Sequence, residues 1–244
     1  METLEKQQNT YISTKQQLIN TIVPRETRTY RPITHEQLID LTLNSIQGAG
    51  FTLSGESYTS AREGNVANGL FKLRNVADKE MQIQIAFQNS YDKSLSLKFA
   101  IGTHVFICKN GCVRGDMGTF KKKHQGEIQS FTPTAITEYI KNSGEIFTQM
   151  VKEREEMKKI ELSDKTRAEL IGRMFIEDEF ITSTQLNIIK NQLKHPEFDY
   201  NCPYSLYELY QYTTQSMREI HPSLWMQNHI EAHKFFVNEI PELV

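Results

Sequence analysis

The chain has 244 residues, 38% of them apolar and 10% aromatic, which is enough to enclose a core. Its 28 Lys and Arg stand against 30 Asp and Glu, so the formal charge of -2 excludes a chain drawn as a whole to nucleic acid or membrane and leaves any such attraction to local patches. No apolar run reaches the roughly 20 residues of a membrane-spanning helix, residues 1–6 lack a secretory signal's apolar segment, and three cysteines are too few for a secreted framework, so a cytoplasmic location is expected.

Residues 1–32 read as a polar, flexible arm, with a short helix near 11–22. Pro24 and Pro32 bracket a Thr/Arg-rich extended passage that contains Arg25, Arg28, Tyr30 and Arg31. Thr34 and Gln37 form a capping box for a helix over 34–48, whose apolar positions Leu38, Ile39, Leu41 and Ile46 recur at helical spacing. Short strands are expected at 51–60, 69–76, 80–88, 95–101 and 104–108, joined by Gly, Asn and Asp turns as an antiparallel meander. A lysine- and glycine-rich loop at 117–130 leads to a long helix starting at Thr132-Pro133, with an apolar stripe of Ile136, Ile140, Phe147 and Met150. Its end, residues 152–159, is a charge run expected to be solvated. Further helices are expected at 163–179, 183–194, 203–219 and 224–237. The fold class is therefore α+β: an N-terminal helix and antiparallel β-meander, then a helical C-terminal half. Region 33–130 carries the sheet and region 131–244 the helices, packed together as one compact unit.

Within the meander, Met81, Ile83, Ile85 and Phe87 alternate with Gln82, Gln84 and Gln88, while Leu95, Leu97, Phe99 and Ile101 alternate with Ser94, Ser96 and Lys98. One face of this hairpin should be buried and the other should offer hydrogen-bonding groups to a partner. Asn89, Ser90 and Asp92 are turn formers, and the Asn110-Gly111 pair is a second turn signal. His104, Cys108 and Cys112 are regularly spaced, but four residues of strand span about 13 Å, too far for ligands of one zinc. His229 and His233 are one helical turn apart without a third ligand. Neither a metal nor a cofactor is implied.

Asn89, Ser90, Tyr91, Asp92, Lys93 and Ser94, the strand that follows, and Val105-Phe106-Ile107-Cys108-Lys109-Asn110-Gly111 resemble the central signature of a phage- and plasmid-associated family catalogued as domain of unknown function 932. Residues 204–213 resemble that family's C-terminal helix, although Leu209-Tyr210-Gln211-Tyr212-Thr213-Thr214 replaces the usual Asn-Ala-x-Thr-Glu-Tyr. The resemblance covers roughly residues 30–235. It implies a mobile-element origin, hence a host cytoplasm if phage-encoded, and no assigned reaction.

The expected function is non-catalytic binding of single-stranded nucleic acid by the polar sheet face and the basic loop. Lys72, Arg74, Lys98, Arg114, Lys121, Lys122 and Lys123 would neutralise phosphates while glutamines and aromatic rings contact bases. The alternative is a protein-interaction module that engages a host or defence factor through Tyr200, Tyr204, Tyr207, Tyr210, Tyr212 and Trp225. A metal-dependent nuclease built on Asp92 ranks third, because no second carboxylate accompanies it in the sequence.

Overall fold

The computed structural model describes residues 11–74, 78–107, 111–114, 119–124, 128–218 and 220–244. Its centre is a seven-stranded sheet in which every pairing is antiparallel. In chain order the strands are β1 (Ile12–Ser13), β2 (Leu53–Ala61), β3 (Val66–Leu73), β4 (Met81–Ser90), β5 (Leu97–Val105), β6 (Gly111–Val113) and β7 (Thr119–Lys122). They follow one another across the sheet to β5, whose far edge is shared: Leu97–Ala100 pairs with β7 and Gly102–His104 with β6. The α+β arrangement is as the sequence implies. Helices α1 (Lys15–Ile19) and α2 (His35–Gly48) follow β1 in the chain, and α3 (Ile128–Lys141), α4 (Ser143–Lys159), α5 (Asp164–Gly172), α6 (Ser183–Lys194), α7 (Leu206–Ser216) and α8 (Pro222–Leu243) follow the sheet.

The capping box of α2 forms as its sequence requires, with Thr34 Oγ1 accepting from Gln37 N–H and the Gln37 side chain accepting from Thr34 N–H. Leu38, Ile39 and Ile46 then join Phe71, Ile85, Phe87, Phe99 and Ile101 in the main core, together with Ile136, Ile140 and Met150 from α3 and α4. Burying each of these phenylalanines contributes about 1.5–3 kcal/mol relative to exposure. The opposite sheet face is covered as well: Ala86 and Ala100 pack against Met226 of α8, with Leu70, Trp225 and Ile230 beside them. Helix α8 is thus a roof over the face that the alternation marked as polar.

Several expected elements differ. The segment near 11–22 divides into β1 and α1, because Ile12 and Ser13 pair with Thr59 and Tyr58. The strands expected at 95–101 and 104–108 are one strand, β5, since Gly102 and Thr103 continue the ladder opposite Gln84 and Ile83. Asn89 and Ser90 belong to β4, paired with Ala67 and Val66, and the turn begins only at Tyr91. The lysine-rich loop contains β7, and the long helix is two, interrupted where Asn142 has ψ -1°. The charge run of α4 is not simply solvated: Glu153 and Arg154 are buried. Lys152 and Glu156, 3.9 Å apart, do keep the expected surface character.

Candidate nucleic-acid interface

The family signature is a brace between the β4–β5 hairpin and α2. Asn89 Nδ2 donates to Ile33 O at 3.0 Å and lies 3.1 Å from His35 Nδ1, whose other nitrogen, Nε2, is 2.9 Å from Gly64 O. Tyr91 stacks on the His35 ring at 4.1 Å, and its hydroxyl accepts from His35 N–H. Ser90 Oγ bonds both the N–H and the carbonyl of Leu95, closing the hairpin. Asp92 caps the turn by accepting from the Ser94 N–H and hydroxyl, and it receives Arg62 Nη1 at 2.7 Å. Burial would raise the Asp92 carboxyl, but the Ser94 and Arg62 bonds outweigh it and hold the group below the ordinary carboxylate range. These contacts engage both carboxylate oxygens, Oδ1 within the turn and Oδ2 with Arg62 of the β2–β3 connection.

Beside this turn, the chain brings three separate sequence features to one place. The arm folds back through a Thr27–Tyr30 bridge, and Arg31 N–H donates to His124 O at 2.9 Å, which sets the arm against the end of β7. Tyr30 is buried there, its hydroxyl donating to Tyr91 O, and Lys93 Nζ lies 4.8 Å from its ring centroid. Between them opens a cleft of about 280 Å3 lined by Thr29, Tyr30, Lys93, Ser94, Leu95, Ser96, Lys123 and His124. Two ammonium groups and a set of hydroxyls converge on it, while Arg28, Arg31 and Lys121 are exposed nearby in sequence. Arg31 is paired with Glu26 at 2.9 Å. Burial, Tyr91 and Asp92 push the Tyr30 phenol up to about 12, so it stays neutral.

The seven expected basic residues do not form a single surface. Lys121 and Lys123 are exposed, Lys122 is half-buried, and Lys121 pairs across the ladder with Lys98. Lys98 is half-buried, its Nζ donating to Gln227 Oε1 on α8 at 3.3 Å, and burial followed by the Lys121 charge lowers its pKa despite Glu231. Arg74 is exposed at the opposite end of the sheet, after β3, and Lys72 faces the roof. Arg114 is buried and paired with Glu153, so it is a core ion-pair member and not a phosphate contact. Cys108 and Asn110 lie outside the described residues, whereas Gly111 begins β6 opposite His104.

The open polar face is likewise corrected. Gln82, Gln84 and Gln88 are 8%, 1% and 0% exposed, too little to meet bases on a free surface. Gln88 Nε2 and Asn68 Nδ2 both donate to Pro222 O, at 2.8 and 2.9 Å, and these bonds fix the start of α8. No local signal in 80–101 reveals this cover, because the covering residues lie more than a hundred positions later. Among the tyrosines offered as a protein-binding surface, Tyr200, Tyr207, Tyr210 and Tyr212 are buried, and only Tyr204 of that set is well exposed, at 53%. Among the described residues no group of three His, Cys, Asp or Glu side chains is placed to hold a metal ion, and no helix is long and apolar enough to cross a membrane.

An α+β core with a braced hairpin signature defines the class, and comparison with known families agrees with it. Residues 25–227 match the family described as Domain of unknown function (DUF932), and the chain belongs to that family. No curated protein and no solved structure gives a significant match.

Proposed function

We propose that the protein binds single-stranded nucleic acid, without catalysing a reaction on it, through the cleft between the arm, the signature turn and β7. The observation that carries this reading is the convergence of Lys93 and Lys123 on one hydroxyl-lined cleft. Ammonium groups attract phosphates without reading bases, and serine and threonine hydroxyls add hydrogen bonds to the phosphate oxygens. Lys121 extends the positive track along the sheet edge, and Lys98 lies partly buried behind it. The turn residues act by positioning: Asn89 and Tyr91 fix the hairpin that presents Lys93 and Ser94. A mobile-element origin is consistent with this reading by analogy alone.

A protein-interaction role is the second reading. It draws on Phe106 and Ile107, which are 41% and 50% exposed side by side after β5.

Fluorescence anisotropy with labelled single-stranded and duplex oligonucleotides over a salt series tests the first reading. Binding to the single strand should weaken with salt, and Lys93→Glu with Lys123→Glu should reduce the logarithmic salt slope by about 1.4, roughly 0.7 for each phosphate no longer neutralised. Absence of binding at low salt, or binding indifferent to these charge reversals, overturns it.

A further inference from the structure

A second cavity, of about 180 Å3, lies between the roofed face of the sheet and the segment joining α7 to α8. Its volume equals that of roughly six liquid waters, well beyond a single structural water. Three buried polar atoms among its lining residues have no hydrogen-bond partner among the described residues: Asn68 Oδ1, Gln84 Nε2 and His229 Nδ1. Their residues are 2%, 1% and 2% exposed, so solvent at the surface does not satisfy them. Leaving such groups unsatisfied is costly, so a ligand or ordered water that pairs with them is favoured.

We infer that this cavity is a binding pocket for one nucleobase that carries a phosphate. Gln84 offers a buried, unpartnered donor that an acceptor on a base edge complements, and Asn68 Oδ1 is a second unpartnered group four positions along the ladder, opposite Gln88. Trp225, packed at a 44° tilt on His229 with ring centroids 4.7 Å apart, supplies an indole among the lining residues on which a planar heterocycle can stack. Burial lowers the His229 pKa to about 4, so the imidazole is neutral at pH 7 and meets a base as a hydrogen-bonding partner. Lys72 and the exposed Arg218 also line the cavity and, besides their contacts within the protein, supply positive charge for a phosphate. The nucleobase can come from a free mononucleotide or from a strand bound in the cleft described above. Only the second source rests on the proposed function.

Trp225 is the chain's single tryptophan, so its emission reports on this pocket alone. The full-length protein is titrated with each nucleoside monophosphate, with ribose 5-phosphate and inorganic phosphate as controls. Saturable quenching by at least one monophosphate, absent with both controls, is the expected result. Gln84→Leu should weaken it about tenfold while thermal unfolding stays cooperative. If Gln84→Leu does not fold, Lys72→Met, at a half-buried position, supplies the same readout. An oligonucleotide that quenches when intact, and not when made abasic, identifies the strand as a source. Lys93→Glu with Lys123→Glu separates the two sites: loss of anisotropy binding in a protein whose monophosphate quenching persists supports a distinct pocket. No quenching by any monophosphate, equal quenching by ribose 5-phosphate, or quenching unchanged in folded Gln84→Leu and Lys72→Met overturns the inference and leaves a water-filled cavity.

Discussion

Asp78 accepts hydrogen bonds from both terminal nitrogens of Arg154, at 2.7 and 2.8 Å, and this fork clamps the β3–β4 connection onto α4. The two side chains are only 7% and 10% exposed, Arg154 and Asp78 respectively, so the pair sits largely out of water. Arg154 also contacts Glu155, and Lys158 bridges Glu155 to Glu80, which extends the clamp to the surface.

Removing one member leaves the other buried without its counter-charge. Arg154→Ala should destabilise the fold by about 3–5 kcal/mol in urea unfolding. Burial raises the Asp78 carboxyl, but the bonds from Arg154 and from the Glu80 and Met81 N–H groups overcome this and lower its pKa. A carboxylate depressed in the folded state contributes stability above its unfolded pKa of about 3.9 and loses it as pH falls through the folded value. The urea midpoint should therefore drop below pH of about 4, and less steeply in Asp78→Asn.

Two of the buried imidazoles, His35 and His229, set a different window. Burial lowers His35 and His229 to about 4, against the partial opposing effect of the Gly64 carbonyl at His35. Between about pH 6.5 and the folded value the unfolded chain binds protons that the folded chain refuses, so stability falls as pH falls. Each histidine should account for about 3 kcal/mol over this interval, at about 1.4 kcal/mol per unit. Replacing His35 by Gln should flatten the dependence of urea stability on pH between 6.5 and 4, whatever its effect at neutral pH.

The signature residues should rank by what they brace. Asn89→Ala removes the donor to both Ile33 O and His35 Nδ1 inside the core, and should cost about 2–3 kcal/mol. Asp92→Ala breaks a partly exposed turn pair with Arg62, and should cost no more than about 1 kcal/mol. Chemical denaturation of the two variants checks the order, and equal effects would contradict the bracing role assigned to Asn89.

Gly69 lies opposite Phe87 on the neighbouring strand, and a Cβ at that position would run into the Phe87 ring. Gly69→Ala should destabilise the protein by about 1–3 kcal/mol through overpacking. Phe87→Leu costs stability on its own, but in that background the alanine should be much less harmful, as a double-mutant cycle would measure.

The sequence displayed whatever depends on near neighbours. Thr34 and Gln37 announced α2, and the alternation from Met81 to Phe87 announced β4, because caps and strand periodicity are local. The same alternation concealed its outer cover, since Gln88 is satisfied by Pro222 and not by water. Arg114 and Arg154 looked like surface charge because their carboxylate partners lie 39 and 76 positions away. The cleft was legible in parts, as an arm, a signature and a lysine run. Its assembly was not, because the Arg31–His124 bond that joins arm to β7 is a backbone contact with no side-chain signature.

The roof also has a temporal meaning. Helix α8 follows every strand in the chain, so during synthesis the glutamine-rich face of β4 emerges long before the segment that shelters it. Until residues 222–243 arrive, nothing of α8 covers that face, and its glutamine amides can hydrogen-bond to water there. The polarity that the finished protein keeps under its roof is, until that helix is made, the polarity of an uncovered surface.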